Sequence, residues 1–261
     1  MTSVQAMLLG AVQGVTEFLP VSSSAHVMIF AHLAMIPCQG KEFCILLNLG
    51  TLLAITVFFW EEMINLLRGS FDFLLNRKTE NCHFFLTIFL SSLPTVIVFG
   101  VLRIIFDVEV TSINALAGSM IFFGCILYFC DRRPISNVNI SRKDSLLIGL
   151  VQPLSFVPGV SRLGICLSMM RWLKYSREEC FRHCMILSTM PTTGACILEL
   201  IHMANGGEQT VDLTTVAAGS GTAFLFGLVS LNFISFFLRK HSFFLVVIYK
   251  IVFGAYIFLF N

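Results

Sequence analysis

Four stretches of this chain, 43–60, 84–102, 110–130 and 213–238, contain no charged residue. Each approaches or exceeds the ~20 residues that a helix needs to cross the hydrocarbon core of a bilayer. Backbone in hydrocarbon must satisfy its own N–H and C=O groups, and unbroken apolar runs of this length do so as helices. Composition agrees: of 261 residues, 56% are hydrophobic and 12% charged, against about 25% charged in an ordinary soluble domain. The expected fold is an all-α polytopic integral membrane protein, a single membrane domain over 1–261. The first residues lack a basic n-region, so no cleaved signal peptide is expected. Nine cysteines form no CxxC pair and read as small buried hydrophobes. Packing is preferred over a metal site for Cys180, His183 and Cys184, and no nucleic-acid partner is expected.

The apolar segments are 4–36, 43–60, 84–102, 110–130, 145–170, 184–203, 213–238 and 242–260. Lysine and arginine concentrate in the connections 61–83, 131–144, 171–183 and 239–241, which the positive-inside rule places in the cytoplasm. The connections 37–42, 103–109 and 204–212 hold at most one basic residue each and are expected outside. Segment 145–170 then starts and ends on the same side, and Pro153, Pro158 and Gly159 interrupt it, so a re-entrant hairpin is expected. Segment 4–36, broken at Pro20, behaves likewise from the other side.

An internal repeat accompanies this pattern. "LLGAVQGVTEFLPVSS" and "LIGLVQPLSFVPGVSR" pair Gly10 with Gly149, Gln13 with Gln152, Phe18 with Phe156, Pro20 with Pro158 and Ser23 with Ser161. Each copy holds one hairpin and three spans, and an odd number of spans inverts one copy relative to the other. The expected plan is six full spans, two re-entrant hairpins and both termini outside. Repeat one covers about 1–130, a cytoplasmic linker about 131–144 and repeat two about 145–261.

If the two tips meet, Glu17, Ser22, Ser23, Ser24 and His26 face Ser161 and Arg162. Serines alone in a membrane helix are ordinary packing glue, whereas a carboxylate and a guanidinium at membrane depth default to function. Helix restarts offer free N–H groups and a positive dipole end, and an arginine forks onto phosphate oxygens, so the tips are expected to bind a phosphate-bearing anion. Glu17 and His26 suit proton transfer, and the carboxylate also suits a divalent cation. His32 reads as interfacial, Lys250 is expected to snorkel or to line the cavity, and Gly219 and Gly221 are expected to allow close helix packing.

The two tips resemble those of the bacterial undecaprenyl-diphosphatase family, associated with bacitracin resistance. Its motifs (E/Q)GxTEFLPxSSxxH and PGxSRSG stand here as "QGVTEFLPVSSSAH", Gln13 to His26, and "PGVSRLG", Pro158 to Gly164. Weaker likenesses lie at "NLGTLLAI" and "MPTTGA". The resemblance implies hydrolysis of undecaprenyl diphosphate, a polyprenyl diphosphate lipid, to undecaprenyl phosphate and inorganic phosphate. That reaction recycles the lipid carrier of peptidoglycan synthesis in the bacterial inner membrane. It further implies a divalent cation, Mg or Ca, and a site opening to the periplasm. Glu17, Ser23, His26 and Arg162 would be the catalytic set, with Gln13, Ser22, Ser24 and Ser161 around the substrate and Glu17 toward the metal. Gln13 stands where many relatives carry a second glutamate, Ala25 replaces a glycine, and Leu163 replaces a serine. Either Ser23 or a water attacks in this scheme. The rival reading is a carrier that moves the same lipid without cleaving it.

Overall fold

The computed structural model describes residues 1–37, 40–105, 113–137, 139–204 and 212–260. Most of the three connections expected outside, and Cys38, therefore lie outside the described residues. The described residues form helices without a strand: α1 (Ser3–Glu17), α2 (Ser23–Leu33), α3 (Gly40–Phe58), α4 (Trp60–Leu74), α5 (Glu80–Ile105), α6 (Ile113–Asp131), α7 (Arg142–Val151), α8 (Arg162–Trp172), α9 (Arg177–Ala204), α10 (Leu213–Lys240) and α11 (Phe244–Phe260), with a short 3₁₀ turn at Gln152–Phe156 between α7 and α8. Helices α5, α6, α9 and α10 are long and apolar enough to span a bilayer, and α3 adds a fifth through its bent junction with α4. The chain is a polytopic helical membrane protein.

Two connections differ from expectation. The connection 61–83 contains α4, turned 89° from α3 at Phe59. Its charged residues, among them Glu61, Glu62, Arg68 and Asp72, share a helix with exposed Leu67, Phe71 and Leu74, so charge counting alone reads it as a loop. The connection 171–183 shrinks because α9 begins at Arg177. The basic connections nevertheless gather at one end of the molecule. Asp131 at the end of α6 accepts from Arg171 at 3.1 Å, from Arg177 at 2.8 Å and from the Phe243 N–H at 3.2 Å. Arg182 lies 3.8 Å from Glu62 of α4. Beside this network the Tyr175 hydroxyl donates to Asp144 at 2.7 Å. Burial pushes its phenol up, and the bond to Asp144 adds to that, so the hydroxyl stays a donor.

Lipid tails are as apolar as leucine, so helices in a membrane associate by close packing and small residues at the contacts. Helix α1 lies along α10 and α7 lies along α5. A Cβ on Gly10 would collide with the Gly219 carbonyl, and one on its repeat partner Gly149 would come 2.7 Å from the Ser91 carbonyl oxygen. Gly221 differs from expectation: nothing stands within 4 Å of a Cβ placed there, because it faces away from α1. Gly159 has φ +86, and a Cβ there would run into the Leu116 carbonyl and the Ser119 hydroxyl. Only glycine serves at a turn with both demands.

Gly10→Val and Gly149→Val are each expected to cost ~3 kcal/mol, the upper end for overpacking, since the obstacle is backbone. Gly118→Ala, with no neighbour within 4 Å, is the control and leaves stability unchanged or slightly higher. Melting of the detergent-purified proteins checks both.

Candidate active site

Helix α1 ends at Glu17 because Pro20 lacks an N–H and cannot continue it. The chain turns through 18–21, with Phe18 only 1% exposed, and restarts at Ser23. The second tip breaks after the 3₁₀ turn and restarts at Arg162, where the Ser161 hydroxyl caps the new helix by accepting from the Gly164 N–H at 3.1 Å. The two tips touch: a Cβ on Gly164 would lie 3.5 Å from Pro20.

Glu17 and Arg162 join the two tips, with 3.3 Å between their nearest oxygen and nitrogen. The other Glu17 oxygen accepts from Gln13 at 2.7 Å and from the Ser23 hydroxyl through a short hydrogen bond. Gln13 also donates to the Asn48 amide oxygen of α3 at 2.7 Å. A carboxylate that accepts from three side-chain donors is held in one orientation. Around this group is a cavity of about 220 Å³. Glu17, Ser22, Ser23, Ser24, Ser161 and Arg162 line it, so most of the expected site residues are brought together.

Gln13 and His26 stand behind that wall. Gln13 reaches the site through Glu17. The His26 Nδ1 lies 2.8 Å from the Ser22 carbonyl oxygen, which only accepts, so Nδ1 carries the proton. Its Nε2 faces the Tyr249 hydroxyl at 2.6 Å, and its ring stacks on Phe253 with 4.6 Å between centroids. Both nitrogens are thus engaged, and His26 is not among the residues that line the cavity. Ser22 has φ 73, and its side chain makes no cap, unlike Ser161. A left-handed residue that is not glycine costs about 1–3 kcal/mol and persists where its surroundings hold it. His26 bonds to the Ser22 carbonyl through both its ring and its backbone N–H.

Lys250 is 1% exposed and does not line the cavity. Its stem crosses Gly124 of α6, where a Cβ would meet it at 3.4 Å, so it neither snorkels nor lines the site. Sequence reasoning left out Asn48, Gln152, Ser155 and Ser188, all in the cavity wall, and Tyr249 behind it. The NLGTLLAI stretch was the only signal for Asn48; the repeat pairing with Gln13 was the signal for Gln152.

Comparison with known proteins decides the family. The model described as bacitracin resistance protein BacA matches residues 6–256. The chain belongs to the BacA family. It is 34% identical over 259 residues to a protein named undecaprenyl-diphosphatase from Elusimicrobium minutum, across 98% of this chain and 97% of that one. A protein of the same name from Pelotomaculum thermopropionicum is 35% identical over 257 residues, across 97% and 95%. One from Roseobacter denitrificans is 31% identical over 267 residues, across 97% of each. The BacA match covers both tips and every helix between them, so the cavity described above belongs to the matched region.

His26→Ala and Tyr249→Phe are expected to destabilise the protein non-additively, with a coupling of at least about 0.5 kcal/mol. Unfolding free energies of the two single variants, the double variant and the parent check it; additive losses would separate the two side chains.

Proposed function

We propose that this chain is a membrane phosphatase that hydrolyses undecaprenyl diphosphate to undecaprenyl phosphate and inorganic phosphate, returning the lipid carrier to cell-wall synthesis. The observation that carries the reading is Ser23, hydrogen-bonded to the Glu17 carboxylate beside Arg162, where α2 and α8 both begin. The names of the full-length relatives point the same way. Phosphoryl transfer is catalysed mainly by positioning and electrostatic stabilisation.

Arg162 and the N–H groups at the start of α8 hold the diphosphate. The Ser23 oxygen attacks the terminal phosphorus and its proton passes to Glu17. The bond from that phosphorus to the bridging oxygen breaks, and undecaprenyl phosphate leaves with the electron pair. Water then attacks the phosphoserine, Glu17 returns the proton to the Ser23 oxygen, and phosphate departs. His26 acts from behind as a positioning residue in this scheme, in place of the proton carrier expected from sequence. The carrier reading accommodates the anion site but leaves the Ser23–Glu17 hydrogen bond without a task.

The donor set fits a hard divalent cation. Glu17, the Asn48 amide oxygen and the serine hydroxyls would all offer it oxygen. No cluster of three or more histidine, cysteine, aspartate or glutamate side chains occurs among the described residues. Magnesium is commonly bound by one or two carboxylates together with substrate phosphates, which suits a site with one carboxylate. When bound, Mg or Ca would neutralise charge on the diphosphate.

We place α3, α5, α6, α9, α10 and α11 as six full spans and the α1–α2 and α7–α8 pairs as re-entrant hairpins. The halves 1–130 and 145–261 are then inverted repeats in the bacterial inner membrane. The matched α1–α10 and α7–α5 contacts, with Gly10 and Gly149 in equivalent positions, support this plan. The convergence of the basic connections supports a cytoplasmic assignment for that end, with the cavity opening to the periplasm.

The test is phosphate release from a long-chain prenyl diphosphate by the detergent-purified protein, with and without EDTA. Arg162→Ala and Glu17→Ala are each expected to lose at least about 10²-fold in turnover, as when a stabilising donor is removed. Near-normal turnover in either folded variant refutes the assignment. A labelled phosphoprotein in rapid quench, absent in Ser23→Ala, separates the serine route from direct attack by water.

A further inference from the structure

Gln152 stands in repeat two where Gln13 stands in repeat one. The two side chains have different fates. Gln13 uses its amide nitrogen on Glu17 and Asn48. Gln152 is fully buried, at 0% exposure, and lines the same cavity. Its amide oxygen accepts from the Thr95 hydroxyl of α5 at 2.8 Å, which turns the nitrogen end the other way. That nitrogen has no acceptor among the described residues. Buried N–H donors are almost always paired, and one left unpaired in the wall of a polar cavity awaits an acceptor from outside the chain.

The wall around it narrows the choice of acceptor. Arg162, the Ser161 and Ser155 hydroxyls and the N-terminus of α8 all offer positive charge or hydrogens, and Glu17 already accepts from Gln13, Ser23 and Arg162. An oxyanion fits such a wall. We propose that Gln152 is a substrate-binding residue whose amide N–H donates to a phosphate oxygen of the bound lipid diphosphate, with Thr95 as the latch that fixes its orientation. The proposal rests on the reading of the cavity as the diphosphate site. In repeat one the equivalent amide orients the carboxylate; in repeat two it meets the substrate.

Gln152→Met tests this because methionine keeps the volume and removes the donor. The freed Thr95 hydroxyl can bond back to the carbonyl one turn earlier. A purely structural glutamine would lower the melting temperature and leave KM alone. The expected result is the reverse: a melting temperature equal to or above wild type, with KM for a prenyl diphosphate raised about tenfold, which corresponds to one hydrogen bond to a charged group. Thr95→Val is expected to raise KM severalfold through the loosened amide, and it carries the test should Gln152→Met not fold. Wild-type KM in a folded Gln152→Met protein overturns the proposal, as does an activity loss that follows stability alone. Binding of a non-hydrolysable prenyl methylenediphosphonate is measured in parallel. Weaker binding in Gln152→Met, in a wild type that binds but releases no phosphate, would refute the phosphatase reading while supporting Gln152. Equal binding in both proteins overturns Gln152 whatever the turnover.

Discussion

Two helix breaks inside an apolar body leave backbone donors and acceptors with no water to satisfy them, and the structure depends on how those breaks answer each other. Irregular backbone at membrane depth is tolerated only where protein or a wet cavity meets it. Here the first tip brings a carboxylate and the second a guanidinium, and the Glu17–Arg162 pair closes the gap between them at 3.3 Å. An unpaired charge in such a place would be expensive, whereas the pair, flanked by hydroxyls, makes a polar cavity in the interior.

Close packing keeps the tips in register. Glycines at equivalent repeat positions let α1 press on α10 and α7 on α5 until backbone meets backbone. Gly159 gives the second tip a φ of +86 against the Leu116 carbonyl, and the Ser119 hydroxyl donates to the Pro158 carbonyl beside it. At the far end Asp131 ties α6, α8, α9 and the start of α11 into one polar knot. These contacts hold a hydroxyl, a carboxylate and a guanidinium within bonding distance of one another.

Much of this was legible in the chain. The apolar runs announced the helices, the prolines announced the breaks, and two short motifs named Glu17, Ser23 and Arg162. What stayed hidden depended on contacts between distant segments. His26 reads as a site residue from its spacing; which groups its ring meets, the Tyr249 hydroxyl 223 residues away and the Ser22 carbonyl that accepts from its Nδ1–H, is not written in that spacing. Helix α4 was concealed because scattered charge resembles a loop when only lysine and arginine are counted, although its apolar positions recur with a helical period. The early start of α9 was concealed for the same reason, since Arg177 and Arg182 belong to its first turns.

The sequence by itself determined the class of protein, the placement of its two polar breaks and the inventory of groups at them, because hydrophobic run length and helix-breaking residues act locally. Tertiary structure decided what each group does. Gln13 and Gln152 are the same residue at the same repeat position. Asn48 of α3 and Glu17 use up the donors of one, while Thr95 of α5 takes the oxygen of the other and leaves its N–H unpaired in the cavity wall. No local pattern distinguishes them, since a hydrogen-bonding role is set by which neighbours the fold brings within about 3 Å.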